Sequence, residues 1–308
     1  MMKKLLALIS FFTLCVAVNA QQDLLLSQQF FSRINKNPAG VGNISDLDIF
    51  FLGRCQWLDV KDSPKSGVLN AQTFIEKYNS GVGFTCSYDN LGVAKSMLNP
   101  KLVYAYNLKL NDDMLLSFGL SAGIQYGYFD ASDYELEDET ERNDGDFPME
   151  KETKFSPDFD FGAEFSTPSL LLGFSITHIV ANESTSLISG RHFYGYARYI
   201  FPLNETFDLA PALVYMNHGK TNVFELNVVA FYNRLFWGGL TYHPDINDGF
   251  GTNPVGVTLG VEYNRFRFGY TFDYNFGAVA DYSGSAHEIM LSFNFPNKNK
   301  KEVFERFE

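Results

Sequence analysis

The sequence predicts an all-β fold, an antiparallel transmembrane barrel of the outer-membrane type with about fourteen strands, flanked by a short N-terminal segment and a C-terminal tail. Three observations lead there. Hydrophobic residues make up 45% and aromatic residues 16% of the 308 positions, yet mean hydropathy is only −0.12, so rings are abundant where aliphatic runs are not. Beyond residue 20 no stretch approaches the roughly 18 consecutive apolar residues that a spanning helix needs. Instead, apolar and polar residues alternate over segments of about 10 residues, the length at which a tilted strand crosses a bilayer.

The chain opens with Lys3 and Lys4, an apolar run from Leu5 to Ala17 and the small-residue site Val18-Asn19-Ala20. This is the pattern of a cleavable signal peptide over residues 1–20. Cleavage after Ala20 makes Gln21 the first residue and, with two lysines lost, moves the formal charge from −12 to −14. Cys15 follows Phe12-Thr13-Leu14 rather than the small residue of a lipoprotein signal, so lipidation is not expected. Cys55 and Cys86 could pair in an oxidising compartment, but sequence separation does not bring them together, and they are read as free, packed thiols.

Residues 21–45 form an N-terminal segment ahead of a barrel spanning 46–295. Strands are predicted near 47–57, 66–74, 80–88, 97–110, 114–129, 155–166, 170–178, 191–201, 207–218, 222–232, 235–243, 254–263, 266–273 and 286–295. Alternation is plainest in Phe266-Arg267-Phe268-Gly269-Tyr270-Thr271-Phe272-Asp273. In the stretch 116–128, Leu116, Phe118, Leu120, Ala122, Ile124, Tyr126 and Tyr128 share one face while Ser, Gly and Gln take the other. Short connections at Asn111-Asp112-Asp113, Ser166-Thr167-Pro168-Ser169, Pro202-Leu203-Asn204-Glu205, Asn233-Arg234 and Asn264-Arg265 are expected to alternate strictly with longer ones. Short turns on one rim and long loops on the other are the layout of an outer-membrane barrel. Hydrocarbon offers backbone amides no partners, so the last strand must close on the first.

The last predicted strand, Ala286 to Phe295, suits that closure, with Ile289, Leu291, Phe293 and Phe295 alternating with Glu288, Met290, Ser292 and Asn294. A near-neutral tail, residues 296–308, follows with four bases and three acids and is read as a periplasmic extension. Tyr232-Asn233-Arg234-Leu235 echoes Tyr263-Asn264-Arg265-Phe266, which is read as a recurring tight turn with an interfacial Tyr and an Arg reaching headgroups.

Charge concentrates in residues 130–154, where eleven acids face three bases for a net −8. Its central acids, Glu135, Glu137, Asp138, Glu139, Glu141, Asp144 and Asp146, are either a solvated, self-repelling loop or a docking surface outside the cell. Asn143-Asp144-Gly145-Asp146 and Asp245-Ile246-Asn247-Asp248-Gly249 lack the full ligand spacing and closing Glu of a calcium loop. The acidic balance argues against nucleic-acid binding. No cofactor and no metal are expected, because His178, His192, His218, His243 and His287 show no metal-binding pair at two- or four-residue spacing. No Ser sits in a G-x-S-x-G turn, so no catalytic residues are assigned. His192 alternates with Tyr194, Tyr196 and Arg198 and is expected in a lumenal hydrogen-bond network. Gly81-Val82-Gly83 lacks a phosphate loop's later Gly and Lys, and its glycines are read as relieving crowding on the barrel wall.

The stretch Ser27-Gln28-Gln29-Phe30-Phe31 with Asn35-Lys36-Asn37-Pro38-Ala39-Gly40 resembles the PorP/SprF family of type IX secretion in Bacteroidota. So do Gly53-Arg54-Cys55-Gln56-Trp57 with Pro64-Lys65-Ser66, the strand from Leu116 to Gly123, and the closing Gly284-Ser285-Ala286-His287-Glu288-Ile289-Met290-Leu291. Two features depart from the family pattern: Ser32-Arg33-Ile34-Asn35-Lys36 before the Asn-Pro-Ala element, and the acidic loop. The resemblance implies a non-catalytic outer-membrane protein that contacts membrane lipid and works with type IX components, or with the C-terminal domain of a secreted surface protein such as a gliding adhesin. It places residues 21–42 at the periplasmic entrance, where Phe30, Phe31, Asn37 and Pro38 either plug the barrel or pack beneath it. Two other readings stay open: a passive transporter for small solutes, and an outer-membrane hydrolase with a Ser, a His and an acid converging on one rim.

Overall fold

The computed structural model describes residues 24, 26–42, 47–58, 62–92, 95–130, 151–180, 187–219, 221–244, 254–276 and 285–295. Residues 1–20, which the sequence predicts to be a signal peptide, lie outside the described residues, as do most of the acidic loop, the segment 245–253 and residues 296–308. The strands are β1 (Leu47–Gln56), β2 (Lys65–Ile75), β3 (Ser80–Asn90), β4 (Lys95–Lys109), β5 (Leu115–Phe129), β6 (Glu152–Ser166), β7 (Leu170–Thr177) and β8 (His192–Tyr199). They continue as β9 (Phe201–Pro202), β10 (Phe207–His218), β11 (Thr221–Tyr232), β12 (Phe236–Tyr242), β13 (Val255–Tyr263), β14 (Phe266–Tyr274) and β15 (Ala286–Phe295). Each pairs antiparallel with its sequence neighbours, and β9 extends β8 in the same register along β10, so the sheet has fourteen staves. It closes where β1 meets β15 over ten pairs, from Leu47↔Phe295 to Gln56↔Ala286.

Proline explains two gaps in the ladders. Where pairing lapses between β8 and β9, Tyr199 and Ile200 stand opposite Pro211 and Ala210, and Pro211 has no amide hydrogen to give. Pro100 likewise interrupts the β4–β5 pairing, and there the Asn99 side chain donates to the Ile124 carbonyl at 2.8 Å in place of a backbone bond.

Period-two alternation sets the two faces. On β6, Phe155, Phe159 and Phe161 point outward while Ser156, Asp158, Asp160, Gly162 and Glu164 are buried inside. On β14, Phe266 and Phe268 are exposed, whereas Thr271 and Asp273 are buried. The outward face is therefore apolar, as lipid requires, and the polar groups turn into the lumen.

The rims depart from strict alternation of loop lengths. One rim carries only tight connections, among them Asn233-Arg234, both in the left-handed region with φ of 50° and 53°, as a two-residue hairpin turn demands. The opposite rim carries the long loops, but also the close connections Leu91 to residue 94, and residues 219–220 between β10 and β11. Gly219, with φ of 56°, makes the second of these possible without strain. Cys55 and Cys86 are free thiols on β1 and β3.

Candidate functional site

Inside the barrel lies the N-terminal segment, described at Leu24 and over residues 26–42. It is built from tight turns rather than from strand. Gln29–Phe31 form one 3-10 turn, and Arg33 accepts from the amides of Lys36 at 2.9 Å and Asn37 at 2.8 Å. Asn37 then caps a second 3-10 turn, Pro38–Gly40, by accepting from the Ala39 amide at 2.9 Å. Pro at the first position has the φ the turn needs and no amide to satisfy. The Asn-Pro-Ala element is thus a self-capped corner.

That corner presses on the wall where the wall has no side chains. A Cβ on Gly119 would lie 2.1 Å from the Ala39 nitrogen, and one on Gly162 would lie 1.9 Å from Asn37 Oδ1. Gly119 and Gly162 face each other across the β5–β6 pair, so together they clear one bed for Asn37 to Ala39. Gly81 does the same for Val41, whose carbonyl oxygen would be 2.2 Å from an added Cβ.

Polar contacts run around the circumference. The Arg33 guanidinium grips Glu164 of β6 at 3.0 and 3.3 Å, and Tyr196 of β8 donates to the same carboxylate at 2.5 Å. The Asn37 amide donates to the Tyr196 hydroxyl at 2.9 Å. Ser175 of β7 donates to the Lys36 carbonyl at 2.6 Å, and Gln72 of β2 accepts from the Gly42 amide at 3.0 Å. Lys36 bonds the Gln29 side chain, which bonds Glu225 of β11. Glu288 of β15 accepts from the amides of Ser27 at 3.0 Å and Gln28 at 2.7 Å, while the Ser27 hydroxyl meets Asp273 of β14 at 3.1 Å. Arg54 of β1 pairs with both Asp273 and Glu288.

Apolar contacts fill between them. Phe31 joins Leu26, Phe50, Leu52, Val68, Val229, Trp237 and Met290, with its ring 5.1 Å from the Trp237 ring. Phe30 packs with Ala212, Val214 and Tyr196, and Ile34 and Val41 with Val103 and Ala105. The segment climbs from Gly42, beside Gly81 near the tight-turn rim, to Leu24, beside Asn99, Gln125 and His178 towards the long-loop rim. It reaches farther than the entrance at which the sequence reading placed it.

Above it lies a second polar network. Lys101 is held between Asp158 at 2.9 Å and Asp160 at 2.8 Å, and Asp158 also contacts His178 Nδ1 at 3.0 Å. Carboxylate and imidazole atoms of Asp158, Asp160 and His178 lie within 4.8 Å of one another, a grouping that histidine spacing in the sequence did not foretell. The Lys101 ammonium already lies between the carboxylates, so this is an ion-pair network rather than a metal centre. Gln125 clamps Ser189, accepting from its amide at 2.7 Å and donating to its carbonyl at 3.2 Å. His192 and His218 stack at 4.3 Å and donate to the carbonyls of Gly190 and Arg191. His192 is accordingly in the lumenal network expected of it.

Of the residues singled out in the sequence, Phe30, Phe31, Asn37 and Pro38 all lie buried in this lumenal segment. Glu135, Glu137, Asp138, Glu139, Glu141, Asp144 and Asp146 lie outside the described residues. Sequence reasoning missed Arg33, Arg54, Glu164, Glu225, Asp273 and Glu288. For the five on strands, the available signal was a formal charge at an inward position of an otherwise apolar-alternating strand; Arg33 lies in the turn-built segment, where no such period exists. On the long-loop rim Ser285 Oγ is 3.2 Å from His287 Nε2, but the group at His287 Nδ1 is the Tyr270 hydroxyl at 2.7 Å, not an acid.

A family model described as type IX secretion system membrane protein PorP/SprF matches residues 18–293. No curated protein matches the chain. Among solved structures, the barrel is similar to the TodX deltaS2S3 mutant monoaromatic hydrocarbon channel, with TM-score 0.53, 10% identity, and 86% of this chain and 94% of that one covered. It is also similar to the CymD monoaromatic hydrocarbon channel, with TM-score 0.52, 12% identity and coverage of 89% and 94%. The Acinetobacter baumannii outer membrane protein Omp33 matches at TM-score 0.48 and 9% identity, over 82% and 99%. At these identities the likeness to TodX and CymD is one of fold.

Proposed function

The chain belongs to the PorP/SprF family of type IX secretion system membrane proteins, and from that premise we propose that it is a non-catalytic outer-membrane component supporting export or surface attachment of secreted proteins such as gliding adhesins. The observation that carries this reading over a passive transporter is the lumen itself. Leu26 to Gly42 cross it, bonded to β2, β6, β7, β11, β14 and β15. A barrel filled in this way serves as a scaffold in the membrane better than as a conduit for solutes. In this reading residues 1–20 are a cleaved signal peptide, the tight-turn rim faces the periplasm, and the acidic loop with Glu135 to Asp146 presents a docking surface to the secreted partner's C-terminal domain or to machinery components.

The test is mild-detergent purification of the tagged chain from its native outer membrane, with mass spectrometry of what stays bound. Recovery of a surface protein's C-terminal fragment or of periplasmic ring components is the expected result. A partner-free barrel that conducts small solutes in planar bilayers would overturn the proposal in favour of the transporter.

A further inference from the structure

The lumenal segment is held as a ligand is held, not as a strand. Main-chain hydrogen bonds among residues 28–41 tie the segment to itself, while the amides of Ser27, Gln28 and Gly42 go to side chains of the wall. Its attachments are side chain to backbone or side chain to side chain, over a bed cleared by Gly81, Gly119 and Gly162. Such a segment can leave without unzipping any ladder, and its chain continues into β1 through residues 43–46.

The wall also states what it recognises. Four buried carboxylates on four strands, Glu164, Glu225, Asp273 and Glu288, ring the segment. Glu288 takes two successive backbone amides, a contact that a peptide turn can offer whatever its side chains. Glu164 takes the Arg33 guanidinium in a two-point grip, and Glu225 is reached through Gln29 by the ammonium of Lys36, three residues after Arg33. Arg54 is the wall's own partner for Asp273 and Glu288. A buried carboxylate that loses its cation is strongly disfavoured, so the wall selects an occupant carrying positive charge opposite Glu164 and near Glu225.

We propose that the lumen is a peptide-binding site for a turn-forming cationic segment, occupied in cis by Leu24 and residues 26–42 and able to take a basic peptide of another polypeptide in trans. A second copy of this chain gains nothing by the exchange. It would replace identical contacts, against a tether that holds the resident segment at roughly millimolar effective concentration. The inference stands on the lumen alone, so it survives or fails independently of the secretion role.

The experiment uses the full chain, purified folded, with a protease site introduced after Gly42 and cut once the barrel is formed. The probes are a fluorescent synthetic peptide of residues 24–42 and the same peptide with Arg33→Glu and Lys36→Glu. The expected result is that the resident segment is released and the first peptide is taken up one to one, with the charge-reversed peptide binding at least tenfold more weakly. A resident segment that never exchanges, or equal uptake of both peptides, would overturn the proposal. Should the inserted site impair folding or cutting, hydrogen exchange of the unmodified chain decides. Amides of Ser27, Gln28 and Gly40 should open at least a hundredfold more often than those of β5 and β6, and equal protection would refute exchangeability.

Discussion

Replacing Arg33 with Ala tests what holds the lumenal segment. The guanidinium meets Glu164 at 3.0 and 3.3 Å, with both side chains almost wholly removed from solvent. Removing it strips a buried carboxylate of this cation, which typically costs about 3–5 kcal/mol. At about 1.4 kcal/mol per tenfold, the population with the segment undocked rises by roughly 100- to 4,000-fold. The barrel itself should be spared, because Glu164 sits on β6, whose fifteen pairs with β5 are untouched. Adding Glu164→Gln to Arg33→Ala removes the orphaned charge while keeping an acceptor for Tyr196, and should restore most of the loss. The assay is hydrogen exchange by mass spectrometry in detergent, comparing peptides from 26–42 with those from β5 and β6. Unchanged protection in 26–42, or a loss spread equally over the strands, would refute the assignment of this pair to docking. So would a double variant no better than Arg33→Ala alone.

Three further outcomes follow from the same geometry. Arg in place of outward Leu259 or Phe268 should weaken the inserted barrel by about 2–4 kcal/mol near the midplane, read as a lower urea midpoint or lost heat-modifiable gel mobility; normal insertion of both would mean the lipid face is misassigned. Gly119→Val places side-chain atoms where Ala39 and Pro38 now lie, so overpacking of about 1–3 kcal/mol should expel the corner while the barrel persists, seen as protease cleavage between Arg33 and Gly42. Deleting residues 135–150 should leave the barrel folded, since loop length costs only about 0.6 kcal/mol per doubling, but should reduce co-purification of the secreted partner; unchanged capture would reduce the loop to a solvated connection.

Strand positions were legible because lipid imposes a period. Every residue on the outer face of a membrane strand must be apolar, and the lumenal face need not be, so Leu116 to Tyr128 and Phe266 to Asp273 declare both their conformation and their orientation. The interruptions at Pro100 and Pro211 and the tight turn at Gly219 lay inside that pattern, and each follows from local backbone chemistry. Loop parity was a weaker guide, since a hairpin can close tightly on either rim. The candidate site was half legible. Phe30, Phe31, Asn37 and Pro38 stood out as a turn-forming, aromatic stretch ahead of the first strand, but nothing in their order says which wall they meet.

The sequence by itself determined the all-β class, the strands and their faces, and the family resemblance, because these rest on periodicity and motifs that a single strand or turn expresses alone. Only the tertiary structure decided that Glu164 meets Arg33, that Glu288 takes the amides of Ser27 and Gln28, and that His178, His192 and His218 draw together. Those partners are separated by up to 261 residues, and closure of the sheet is what brings them to one lumen. An inward carboxylate on an isolated strand has no defined partner; the curvature that joins β15 to β1 turns every such residue towards a common axis, where a buried charge must find its complement.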